Sequence, residues 1–190
     1  VAGNTVVGET ALDAAVTGGD NTVIGKNALT TLTSGASNTA VGRSALQNTT
    51  TANDNSAVGY FALGSNTTGA SNTAVGEQAL YSNTTASNNT AVGRLALFVN
   101  TTGTNNVAVG ATALDACTTG SQNTAVGTSS LGAHTTGTSN TAIGYQALDA
   151  NTTAHNNTAV GTSSLGANTT GTQNVAIGAN TLDANTTAND

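Results

Sequence analysis

The chain has 190 residues, a formal net charge of −6 and 6% charged residues, where an ordinary globular domain carries about 25%. Lys26, Arg43 and Arg94 are its only Lys or Arg side chains, too few to follow a phosphate backbone, so the composition argues against nucleic acid. No run of about 18 apolar residues is present to insert in a membrane as a helix, and a lone Cys117 gives no disulfide framework.

Low charge with abundant Asn, Thr, Gly and Ala is compatible with a disordered tract. The placement of the apolar residues argues otherwise, because a motif NTAVGxxALxxNTTGxx returns every 17 residues. Repeats begin at Asn4, Asn21, Asn38, Asn55, Asn72, Asn89, Asn106, Asn123, Asn140, Asn157 and Asn174, with no insertion or deletion. Residues 1–190 therefore read as one repeat array, expected to be a segment of a longer protein.

Numbered from its leading Asn, the copy at 72–88 reads NTAVGEQALYSNTTASN. Position one is Asn in all eleven copies, position four Val or Ile, position five Gly and position nine Leu. A helical solenoid needs about 30 or more residues per unit, whereas 17 residues rich in Thr, Asn, Val and Gly suit one coil of a parallel β-solenoid. The reading is all-β, with eleven coils stacked about 4.8 Å apart into a rod of roughly 50 Å. One strand is expected on positions one to four and a second around positions seven to nine. Gly76 marks the corner between them, where a positive φ or close backbone approach excludes other residues. The NTTG or NTTA segment turns the chain back.

Stacking sets each residue above its counterpart 17 earlier. Asn72, Val75, Gly76 and Leu80 and their equivalents are expected to form the structural ladders, with Val and Leu filling the core and Asn amides bonding coil to coil. Like charges stacked in this way would repel, which accounts for the low charge. Position six, expected to face solvent, places Glu9 below Lys26 and Glu77 below Arg94. Ala at position three, expected on the face opposite Val, would let another chain pack closely as a trimer or bundled filament.

The NTAVG segment, and above all Asn140-Thr-Ala-Ile-Gly144 and Asn55-Ser-Ala-Val-Gly59, resembles the head repeats of trimeric autotransporter adhesins of the YadA type. The NTAVGxxAL…NTTG array also resembles the repeat arrays of phage-type tail-fibre proteins. The resemblance rests on five or six positions per repeat, and the repeats here are a few residues longer. It implies a left-handed β-roll associated as a trimer, exposed on a cell or virion surface and contacting host, matrix or glycans.

No catalytic or metal-binding constellation emerges, and no cofactor is implied. His134 and His155 fall in the variable segment without a recurring carboxylate, and Cys117 stands where other copies have Asn, which reads as drift in an exposed turn. Asp13, Asp115, Asp149 and Asp183 share position ten, but the G-G-x-G-x-D pattern of calcium solenoids is missing. The Thr pairs raise an ice-binding reading. Adjacent Thr67 and Thr68 would point to opposite faces of an extended segment, however, which favours a ladder role. N-glycosylation sequons lie at Asn48, Asn66, Asn83, Asn88, Asn100, Asn151, Asn156, Asn168 and Asn185. The sequence thus points to a non-enzymatic extracellular structural or adhesive fibre. A module binding carbohydrate or ice through its Thr/Asn turns, or a heavily glycosylated filament, is the alternative.

Overall fold

The computed structural model describes residues 3–189. Three-residue strands recur at every seventeenth residue, from β1 (Thr5–Val7) through β5 (Thr73–Val75) to β11 (Val175–Ile177), and pair in sequence order as one parallel sheet. Every pairing joins a residue to its counterpart 17 later, as in Thr73↔Thr90, Ala74↔Ala91 and Val75↔Val92. The chain is a β-solenoid whose coils meet only their neighbours.

The sheet is the only one among the described residues, and the second strand expected around positions seven to nine is absent. Two turns stand there instead, closed by bonds such as Ala79 N–H to Gly76 O (3.3 Å) and Asn83 N–H to Leu80 O (3.2 Å). Residues at positions seven and nine take the left-handed region, Gln78 at φ 55° and Leu80 at φ 52°. For Leu this conformation costs roughly 1–2 kcal/mol. Full burial of the Leu80 side chain, worth about 2 kcal/mol, offsets it, and Leu80 N–H donates to Ala96 O at 3.0 Å.

The core differs from expectation in one respect that decides the outer surface. Ala74 at position three is fully buried while Val75 at position four is 38% exposed. A three-residue strand sends positions two and four to one side and position three to the other. The thin coil has room inside for Ala at positions three and eight and Leu at nine, and these make the apolar cluster. Val is left outside. The Ala expected to receive a second chain is thereby interior.

Gly76 behaves as its place in the motif requires, with φ at 135°. A Cβ there would sit 2.5 Å from Gly93 O in the next coil, so conformation and space both exclude a side chain. The same column runs from Gly8 to Gly161, each glycine lying against the carbonyl of the next.

Beyond the corner and turns, burial follows a period of three. In the coil at 72–88, positions twelve and fifteen point in, thirteen and sixteen are half-buried, and fourteen and seventeen are exposed. Thr67 is accordingly half-buried and Thr68 exposed, so the Thr pair does not straddle the wall as an extended segment would require.

Candidate functional site

Two kinds of feature have the geometry to do chemistry or recognition: the buried amide ladders and the outer ranks of side chains. The ladders begin at position one. Asn72 donates its backbone N–H (3.0 Å) and its amide Nδ2–H (3.2 Å) to Asn55 Oδ1 in the coil before. The same Nδ2 donates to Ala86 O at 2.9 Å, across its own coil. At position twelve, Asn83 Nδ2 donates to Asn66 Oδ1 (2.9 Å) and to that same Ala86 O (3.0 Å). In the coils starting at Asn55, Asn72 and Asn89 two Asn side chains thus converge on one carbonyl, and half of the interior there is a hydrogen-bonded amide lattice in which these Asn are fully buried.

Cys117 and His134 belong to this lattice and are both fully buried, which corrects the expectation of an exposed turn. Each takes the Asn role at position twelve. Cys117 Sγ–H points to Gly120 O at 3.7 Å, and His134 Nε2 lies 2.9 Å from Gly137 O. Burial pushes the Cys117 thiol up to about 11, the reverse of what a nucleophile needs. Burial also lowers the His134 pKa from its ordinary value, so the ring is neutral and its Nε2–H donates to Gly137 O. His134 Nδ1 then accepts, and Asn151, whose side-chain oxygen lies 3.0 Å away, serves as donor once its amide is turned. That orientation supplies the partner that Asn151 Nδ2 lacks.

His155 stands apart, exposed at position sixteen, where its Nδ1 accepts from Thr138 N–H at 3.0 Å. Ser87, Ser121 and Asn189 make the equivalent bond in other coils, so the residue caps a backbone donor. The position-ten carboxylates are not gathered either. Asp115 and Asp149 are half-buried, and burial raises both. They are two coils apart, with Gly132 between them, while Asp13 and Asp183 are exposed. Among the described residues no cluster of three or more His, Cys, Asp or Glu is placed to hold a metal, and no cavity opens.

The sequons divide by burial. Asn66, Asn83, Asn100, Asn151 and Asn168 have fully buried side chains inside the ladder, so a glycan on any of them is incompatible with this fold. Asn185 is half-buried; Asn48, Asn88 and Asn156 are exposed.

On the outside, position six faces solvent. Lys26 Nζ meets Glu9 at 2.8 Å, which holds the Glu9 carboxyl below its ordinary value, and Arg94 Nε lies 3.6 Å from Glu77. Arg43, stacked beside Lys26, lies over the Tyr60 ring with its guanidinium carbon 5.7 Å from the centroid. Tyr60, Phe61, Tyr81 and Phe98 continue from there as one aromatic strip, the last two stacked at 5.6 Å.

The larger surface feature is the one that the sequence reading missed. Positions two and four form a plane of Thr and Val ranks on the outer side of the sheet, Thr73 beside Val75, Thr90 beside Val92 and so on. The signal was the parity of the strand: once Ala at position three is taken as interior, both neighbours must face out.

No family model, curated protein or solved structure matches the chain.

Proposed function

We propose that the chain is a rigid segment of a non-enzymatic structural or adhesive fibre, displayed outside the cell or on a virion. The observation that carries this reading is the unbroken 17-residue register from β1 to β11, in which each coil contacts only the coils on either side. A one-dimensional stack of this kind extends by about 4.8 Å per coil without altering what lies inside it. The likeness of its NTAVG segments to YadA-type head repeats and tail-fibre arrays points the same way. With Ala at position three inside the wall, the self-association we favour is end to end, through the unpaired strand edges of terminal coils, rather than side by side as a trimer.

Negative-stain microscopy combined with light scattering over a concentration series tests this. Uniform thin filaments that lengthen with concentration are the expected result. Particles that stay at the length of one chain, about 50 Å for eleven coils, at every concentration would overturn it.

A further inference from the structure

We propose that the outer plane of the sheet, formed by positions two and four, is an ice-binding surface. The plane is regular in two directions. Along the rod, in-register pairing repeats each side chain about every 4.8 Å; across it, residues two apart on a strand lie roughly 6.6 Å apart. The first spacing is near the shorter lattice repeat on the prism face of hexagonal ice, and the second falls somewhat short of the longer one.

The chemistry of the plane fits a crystalline, uncharged partner. Position two is Thr in eight copies, Ser56 in one and Val107 and Val175 in two; position four is Val or Ile throughout, so neither rank carries a charge. Val58, Val75 and Ile143 are 39%, 38% and 40% exposed, so the methyl rank is open to water. From Thr22 to Thr158 the position-two hydroxyls make no hydrogen bond among the described residues. The position-thirteen hydroxyls, by contrast, are engaged coil to coil, as in Thr67 Oγ1–H to Thr84 O at 2.9 Å. Free hydroxyls in one rank and methyl groups in both can hold a first layer of water at repeating places.

Rigidity favours the same reading. Thr and Val are β-branched and stiff at χ1, and the backbone beneath them is bonded to a coil on each side, so little further ordering is needed on contact.

The test uses ice-affinity partitioning and thermal hysteresis of the whole chain, with binding to microcrystalline cellulose and chitin measured in parallel. One variant carries Thr90→Tyr and Thr124→Tyr on the plane. A second carries Val92→Lys there, and a third carries Thr102→Tyr and Thr136→Tyr on the exposed position-fourteen rank. The expected result is partition of the parent into ice with measurable hysteresis, both lost in the two plane variants and kept in the third, with far-UV spectra unchanged. A parent excluded from ice, activity lost only in the third variant, or binding to polysaccharide without binding to ice would each overturn the proposal. The parent's behaviour decides the matter even if a variant fails to fold.

Discussion

A position-one asparagine such as Asn72 uses its backbone and side-chain donors together, and its Oδ1 accepts from the coil after it. The position-twelve ladder lacks that continuity. Asn83 and Asn100 each donate to the oxygen before them, but Cys117 offers Asn100 Oδ1 nothing, and that atom is buried without a partner. Cys117→Asn gives Asn100 Oδ1 a donor and keeps a bond to Gly120 O, but leaves its own Oδ1 without one, because His134 spends its one N–H on Gly137 O. Cys117→Asn combined with His134→Asn completes the run, and the double variant should exceed Cys117→Asn alone by about 1–2 kcal/mol, read as a higher denaturant midpoint at unchanged slope. His134 gives a pH dependence whose sign follows from its depressed pKa. Unfolding takes up a proton once pH falls below the ordinary value of about 6.5, so the stability from this site is whole above that pH and is lost as pH falls toward the folded value. Melting temperature should drop between pH 7 and pH 5, and His134→Asn should flatten the drop. Asp115 and Asp149, raised by burial, act in the opposite sense as they protonate at lower pH. The difference between parent and variant isolates the imidazole.

At the scale of the coil, corner and turns constrain the backbone more tightly than the strand does. Gly76→Ala must bring a methyl group to 2.5 Å from Gly93 O and hold alanine at φ 135°. A loss of at least about 2 kcal/mol is expected, against a negligible change for Thr85→Ala on the exposed turn; thermal melts of the two variants check this. Repeat length, coil count, parallel stacking, the Gly corner and the Asn ladder were legible in the sequence because each is a periodic identity. What was not legible is where one element hands over to another. Val75 and Ala74 are both apolar, and only the cross-section of the coil decides which is inside. Leu80 sits in a left-handed turn rather than a strand, a conformation its residue type disfavours and its burial stabilises. The period of three from Asn83 onward has no apolar marker, because its inward residues are Asn and Ala or Gly. For that reason Cys117 and His134 looked like surface drift, and the outward Thr/Val plane escaped notice.

For the molecule as a whole, stacking makes coils interchangeable only in units of 17, and a deletion tests this directly. Removing Asn157–Gln173 sets the coil starting at Asn140 against the one starting at Asn174. Position by position the new neighbours match: Asn140 meets Asn174, Ala142 meets Ala176, Gly144 meets Gly178, Leu148 meets Leu182 and Asn151 meets Asn185. The shortened chain should keep its far-UV spectrum and a cooperative transition, become about 4.8 Å shorter by small-angle scattering, and lose one coil's share of unfolding free energy. Removing only Asn157–Ser164 instead leaves Leu165 where the register calls for an Asn of position one, Thr169 where it calls for the corner Gly of position five and Gln173 where it calls for the buried Leu of position nine. Every coil beyond the cut would then present apolar groups to the amide half of the interior and amides to the apolar half. That chain should lose β-structure from the cut onward and become protease-sensitive there. If the 17-residue deletion proved as disruptive as the eight-residue one, stability would depend on contacts beyond neighbouring coils, and the one-dimensional account of this rod would have to be abandoned.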